Sequence, residues 1–277
     1  MKAEFTISLM CRCLCVSRAG YYAWASRPES PRSIENRALA VHIKAAFDES
    51  RGTYGSPRVH EELKAKGFPV GRHRVARAMR TGGLRGRKKR RFVATTQSNH
   101  EFPVAPNLLA RRFDVAAPNT VWAGDITYLA TAEGWLYLAV VLDLCSRRVI
   151  GWAMGARIDR GLALSALEMA TSNRPSQGVM YHSDRGVQYA STDFREALVA
   201  AGMTCSMSRS GDCWDNAMVE SFFSTLKTEL VGADVFPSRE IARSVVFEWI
   251  ESFYNRRRRH SALGYMAPEE YELKVAA

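Results

Sequence analysis

The spacing of apolar positions changes near residue 119, and the change divides the chain. Before it, apolar residues recur at three- and four-residue intervals, as on one stripe of a helix; after it, continuous or alternating apolar runs appear, as in strands. In the first part, residues 8–24 read as two short helices broken near Val16 and Ser17, with Ser17 able to cap the second. Residues 28–31 read as a linker, and Ser33 is the expected N-cap of a helix reaching about Phe47, with Leu39, Ile43 and Phe47 on one face. Residues 54–67 give a sharper pattern, with Ser56 as cap, Pro57 at the first helical position and Gly67 as the stop. A helix over residues 72–80 follows, ended by Gly82 and Gly83. Val59, Leu63, Val75 and Met79 recur every four residues within their helices and are expected to face each other across the turn. Arg72, Arg74, Arg77 and Arg80 are then left pointing mostly outward. This is a helix-turn-helix pattern with a basic second helix, suited to a major groove or to phosphates. A helical hairpin with a solvated basic face is the alternative.

From residue 119 the pattern predicts strands over 121–129, 135–143 and 147–154. A helix over 161–172 capped by Asp159, a strand over 179–182, a helix over 191–201 and a strand over 204–208 come next, and a long helix spans 216–231. The run from Trp135 to Asp143 is apolar almost throughout, as in a central strand covered on both faces. Three meandering strands followed by strand–helix alternation predict a mixed α/β sheet with helices on its faces. Ser238 is expected to cap a last long helix whose apolar face is Ile241, Val245, Trp249, Ile250 and Phe253.

Charge sharpens the division. Residues 1–91 hold 21 Lys and Arg against 7 Asp and Glu, whereas residues 92–277 hold 18 against 21, so the whole excess of the +11 chain lies in its first third. That segregation suits a nucleic-acid-binding front end and favours DNA contact by the basic helix. The run over residues 85–91, with Arg87, Lys88, Lys89 and Arg90, reads as an extended arm that neutralises phosphates; a solvated linker is the alternative. Residues 92–118, with three prolines, read as an irregular connector. The division expected is a short helical segment over 1–30, a helix-turn-helix domain over 31–84, arm and linker over 85–118, and a catalytic core with a C-terminal helical extension over 119–277.

The six cysteines show no framework spacing and read as reduced thiols; no uncharged run is long enough to cross a membrane, and no signal peptide is recognised. A cytoplasmic, nucleoid-associated location with no membrane partner is therefore expected. Asp143 and His182 are read as structural, Asp143 in a turn and His182 packed on the sheet face opposite Asp184. Asp215 and Asn216 are expected to cap the helix that carries Glu220.

The chemistry centres on Asp125 in the first strand, Asp184 after the fourth and Glu220 in the long helix. Three carboxylates brought together repel one another unless hard divalent cations lie between them. The words that carry them are Trp122-Ala-Gly-Asp125-Ile-Thr-Tyr128, Tyr181-His-Ser-Asp184-Arg-Gly-Val-Gln-Tyr189 and Asp215-Asn-Ala-Met-Val-Glu220-Ser-Phe-Phe. With Tyr54-Gly-Ser-Pro-Arg58 upstream and His260-Ser-Ala-Leu-Gly-Tyr-Met-Ala-Pro268 downstream, the chain resembles the transposase and retroviral integrase superfamily with an Asp-Asp-Glu triad. It resembles closely the second reading-frame protein of the IS-three class of bacterial insertion sequences. The resemblance implies an RNase H-like core in which Asp125, Asp184 and Glu220 are catalytic and bind two magnesium or manganese ions. One ion activates a water or a DNA 3′-hydroxyl, and the other stabilises the leaving oxygen. It implies cleavage of element ends and strand transfer into target DNA. Lys227, two helical turns after Glu220, is expected to grip the DNA end, and Arg256 and Arg257, within the basic run 256–259, to touch phosphates. Implied partners are DNA, further copies of the chain in a synaptic complex, and an upstream-frame (OrfA-type) protein or fusion. That partner supplies a leucine zipper, a feature not found in this sequence. A non-catalytic DNA-binding regulator and an RNase H-like nuclease are the competing readings; the intact triad argues against the first, the basic front end against the second.

Overall fold

The structure, a computed structural model, describes residues 5–87, 103–209, 213–231 and 235–276; Lys88, Lys89, Arg90 and the first part of the connector, to residue 102, lie outside them. The chain forms two compact units, Met1–Arg85 and Gly86–Ala277.

The first unit is helical. α1 (Ile7–Cys13) and α2 (Arg18–Ala25) are capped by Thr6 and Ser17, whose hydroxyls accept the N–H of Leu9 and Gly20. α3 (Pro31–Glu49) begins earlier than expected. Ser30 caps it by accepting the Ser33 N–H, and Pro31 sits in the first turn, where its missing N–H costs nothing. Residues 28–31 are therefore the start of a helix rather than a linker. Leu39, Ile43 and Ala46 are buried on α3, with Phe47 only partly so. α4 (Ser56–Ala65) is entered through Gly55 without a side-chain cap, so Ser56 is its first residue and not its cap. Gly67, at φ +82, turns the chain after α4, a left-handed conformation that a Cβ would strain. α5 (Arg72–Thr81) ends at Gly82. Val59, Leu63, Val75 and Met79 are all buried between α4 and α5, as their spacing predicts.

The second unit is built on a five-stranded sheet, β1 (Val121–Thr131), β2 (Gly134–Asp143), β3 (Val149–Gly155), β4 (Met180–Ser183) and β5 (Thr204–Met207), in the order β3-β2-β1-β4-β5. β1, β2 and β3 pair antiparallel; β4 joins β1 in parallel, and β5 joins β4 in parallel. This is the mixed sheet with flanking helices expected of an RNase H-like core. Trp122, Val141, Ile150, Tyr181, Phe194 and Leu198 are among the core residues between one face and α6 (Arg160–Asn173), α7 (Val187–Ala190) and α8 (Thr192–Ala200).

The expected long helix over 216–231 is three pieces: a 3₁₀ turn (Cys213–Asn216), α9 (Ala217–Leu226) and a π-helical turn (Lys227–Val231). α10 (Arg239–Glu248), capped by Ser238, likewise runs into a π-helical segment (Trp249–Tyr254). Its buried stripe is Ala242, Val246, Trp249, Ile250 and Phe253, while Ile241 is exposed and Val245 partly so, which corrects the expected face by one position. Ala242, Val246, Trp249, Ile250 and Phe253 keep the three- and four-residue spacing of one helical stripe, with Val246 rather than Val245 leading into Trp249. Phe222 of α9 packs on Trp249 and Tyr254, with ring centres 6.0 and 4.8 Å away. α11 (Pro268–Ala276) ends the described chain.

Candidate active site

β4 pairs with β1 only as far as Gly124 opposite Ser183. Asp125 and Asp184 are the next residue on each strand, so they stand side by side where the pairing stops. One oxygen of each carboxylate is fixed by a backbone amide: Asp125 Oδ1 accepts the Ile126 N–H at 2.7 Å, and Asp184 Oδ1 accepts the Gly186 N–H at 2.9 Å. Glu220 arrives from the first turn of α9, whose Val219, Phe222, Phe223 and Leu226 are buried.

The three carboxylates feel one another. Burial, then the charges of Asp184 and Glu220, push the Asp125 carboxyl well above its ordinary value, against the Ile126 N–H and Lys227. Glu220 is raised by burial and by Asp184. Burial lowers the Lys227 ammonium, and the Asp125 charge opposes this. Lys227 opens the π-helical turn, and its Nζ stands 4.6 Å from the centre of the Tyr128 ring. Among the described residues, no three His, Cys, Asp or Glu side chains are arranged to hold a metal ion as they stand. The donor chemistry nonetheless fits a hard cation: oxygen ligands of like sign, whose mutual repulsion a divalent ion would relieve.

The ground beneath Asp125 is tightly packed. A Cβ at Gly124 would stand 1.9 Å from the Tyr181 hydroxyl, so only glycine admits that ring under the strand. Tyr181 is buried, and Tyr189 beside it keeps a buried hydroxyl with no hydrogen-bond partner among the described residues.

Other expected residues divide by what they touch. Asp143 is structural: its Oδ2 accepts the Asn119 N–H at 2.7 Å, and its Oδ1 accepts the N–H groups of Cys145 and Ser146. The His182 ring is buried with its nitrogens 2.9 and 3.2 Å from the hydroxyls of Ser206 and Ser208, and burial lowers it to about 4. Asp215 does not cap α9, which has no side-chain cap. It is a buried anchor for Asn107, Arg111 and Arg209, and the Arg209 hydrogen bond holds its carboxyl below the usual range. No spacing rule could have found this, since Asn107 and Arg111 arrive from a segment about a hundred residues upstream, while Arg209 stands six residues before it.

The arginines separate similarly. Arg72, Arg77 and Arg80 are exposed, but Arg74 is turned back onto α3, donating to Asn36 at 2.9 Å and to Glu35 at 3.0 Å. Arg87 donates to the carbonyls of Thr228 and Glu229 in the π-helical turn. Arg256 is mostly exposed and pairs with Glu269 at 3.5 Å, and Arg257 is exposed. Arg258 is buried against Glu229 and Arg259 donates to the Tyr265 carbonyl, which takes Arg258 out of any phosphate-facing surface. Cys11, Cys13, Cys15, Cys145 and Cys205 are free thiols, and among the described residues no helix is long and apolar enough to cross a membrane.

Residues 115–213 and 201–268 match the integrase core domain family, and residues 33–92 match the HTH-like domain family. The transposase InsF of insertion sequence IS3A from Escherichia coli K12 is 47% identical over 279 residues, covering 100% of this chain and 97% of that protein. The 31 kDa protein of insertion element IS600 from Shigella sonnei is 47% identical over 266 residues, covering 96% and 98%. Among solved structures, the simian T-cell lymphotropic virus intasome is similar at a TM-score of 0.48 and 15% identity, over 83% of this chain and 74% of that one. The HTLV-2 integrase catalytic core domain is similar at 0.42 and 18%, over 56% and 97%. Near-complete coverage at such identity to the InsF proteins, with an integrase core behind an HTH-like domain, places the chain in the IS3 family of insertion-sequence transposases.

Proposed function

We propose that this transposase cleaves DNA at the ends of its element and joins the 3′-hydroxyls to target DNA, with Asp125, Asp184 and Glu220 as the reaction site. The observation that carries this reading is the meeting of three carboxylates from β1, the end of β4 and α9, each of the other two raising Asp125. They are the residues that would hold magnesium or manganese, two ions in the fullest form of the reading. Bound there, a divalent ion supplies Lewis-acid stabilisation of the phosphorane-like charge and a more acidic attacking hydroxyl.

The protein's own contribution is placement. Backbone amides fix one oxygen of Asp125 and of Asp184, so these carboxylates are oriented before substrate arrives. Lys227, beside Asp125, is assigned to a non-bridging phosphate oxygen of the DNA end, where its charge opposes the negative charge gathering at phosphorus. Arg72, Arg77 and Arg80 on α5, with residues 88–91 of the arm, are assigned to the phosphate backbone, and Arg256 and Arg257 to the same task on the second unit; Arg87 is held by the carbonyls of Thr228 and Glu229. In this reading residues 31–84 bind DNA and residues 119–277 react with it. Joining two ends to a target requires several DNA segments at once, which favours several copies of the chain acting together. The upstream-frame partner belongs to the same reading.

The test is incubation of the protein with labelled element ends and Mg²⁺ or Mn²⁺, comparing wild type with Glu220→Gln. Loss of cleavage and joining in the variant, together with loss of the metal-induced rise in melting temperature, is the expected result. Equal activity in the two proteins would remove Glu220 from the site.

A further inference from the structure

Past Gly124, β1 loses its β4 neighbour, and two large aromatic side chains lie exposed on this part of the sheet. Tyr128 is 36% exposed and Trp135 49% exposed. Their ring centres lie 4.9 Å apart with planes at 74°, so the two rings form a corner: a flat group lying on one presents its edge to the other. Large rings side by side in solvent forgo the stabilisation that burial gives elsewhere in the core, and their surfaces are open to a ligand.

The surroundings say which ligand. Lys227 Nζ stands over the Tyr128 ring at 4.6 Å and lies within electrostatic reach of Asp125. On the other flank, the Arg239 guanidinium donates from Nε to the Trp135 carbonyl at 3.1 Å. The nearby Glu133 carboxylate is turned to the start of α10, where it accepts the Arg239 N–H at 3.0 Å. Aromatic faces flanked by cations are the chemistry that takes unpaired nucleotides, with bases on the rings and phosphates on the cations.

We propose that Tyr128 and Trp135 form a stacking platform for an unpaired base at the end of the DNA strand whose phosphodiester lies at Asp125, Asp184 and Glu220. The inference rests on the reading of those carboxylates as the reaction site. A base held on the platform keeps an opened strand end from re-pairing and fixes how far the strand runs past the carboxylates. Tyr128 is three residues from Asp125, so the two side chains leave opposite faces of β1. Lys227, over the Tyr128 ring and within electrostatic reach of Asp125, spans the strand edge between them. An opened terminus crossing that edge reaches the rings from the reacting phosphate.

Two DNA probes test it with the full chain: a duplex with a short unpaired 3′ end carrying 2-aminopurine as its last base, and the same duplex fully paired. Wild type should bind the unpaired probe more tightly and quench its 2-aminopurine. Trp135→Leu should bind that probe about tenfold more weakly, the loss of one base–aromatic stack, and abolish the quench. Trp135→Phe keeps a ring and should restore both, and matching thermal melts of the two variants separate this from misfolding. Equal affinity of wild type for the two probes, or equal quenching by wild type and Trp135→Leu, overturns the platform. Cleavage by Glu220→Gln is read in parallel. If that variant is inactive while the quench is absent, the platform falls and the carboxylate site stands; if it still cleaves, the carboxylate reading falls and takes the platform's placement with it.

Discussion

Arg258 Nη2 lies 2.6 Å from Glu229 Oε1, its Nε lies 2.7 Å from Oε2, and both side chains are buried. The pair ties the π-helical turn after α9 to the segment after α10, on the same helix that carries Glu220. Two parallel hydrogen bonds in a dry setting make each partner dependent on the other. Glu229→Ala alone should lower stability by about 3 kcal/mol, because it leaves a buried guanidinium without its anion. Glu229→Leu combined with Arg258→Met should lose much less, and urea unfolding of the three proteins measures the difference.

Gly124→Ala is expected to be far more damaging than a methyl group normally is. Its Cβ would meet the Tyr181 hydroxyl at 1.9 Å and Cζ at 2.7 Å, under a strand that also carries Asp125. Adding Tyr181→Phe removes the nearer atom but not Cζ, so the double variant should recover part of the melting temperature and part of the cleavage rate. Full recovery would show that the ring moves freely, contrary to its packing against Tyr189 and Phe194.

His182 should impose a pH dependence on stability. Its folded value is depressed to about 4 by burial, below an ordinary 6.5. Between these values the unfolded chain binds the extra proton and the folded chain does not, so stability is full above about 6.5 and falls as pH drops toward 4. Replacing His182 with Gln should flatten that part of the curve in denaturant titrations at successive pH values.

The arginines of α5 should differ in a salt titration of DNA binding. Alanine at Arg72, Arg77 or Arg80 should reduce the slope of log affinity against log salt by about 0.9 for each phosphate no longer neutralised. Arg74→Ala should leave the slope nearly unchanged, because Glu35 and Asn36 already hold that guanidinium. Fluorescence anisotropy with a short duplex reads both.

What was legible in the sequence follows from how local each signal is. The strands from Val121 to Gly155 announce themselves because apolar runs and turn residues are read over a few positions. The pairing of Val59 and Leu63 with Val75 and Met79 was legible for the same reason. Asp125, Asp184 and Glu220 could be picked out as a set only through the words around them, since no local period links a strand, a strand end and a helix. What escaped depends on distant partners or on subtle geometry. Ser30 was within reach as the cap of α3, since Pro31 directly after it is a first-turn signal, and the expectation of Ser33 passed over that signal. The π-helical turns after α9 and α10 have no composition signature. Asp215, flanked by a turn and a helix, looks like a cap until Asn107 and Arg111 arrive from far upstream to join Arg209 on it.

The last part of the chain does more than follow the core. Asn255 bonds both backbone groups of Val149 on the outer strand β3, at 3.0 and 2.9 Å, in place of a sixth strand. Glu272 accepts hydrogen bonds from Ser146, Arg148 and Arg174, fastening the turn between β2 and β3. A polypeptide emerging from the ribosome therefore holds all five strands well before the edge of its sheet is sealed. A product broken off ahead of residue 255 would present an unsatisfied strand edge to proteases and to other chains.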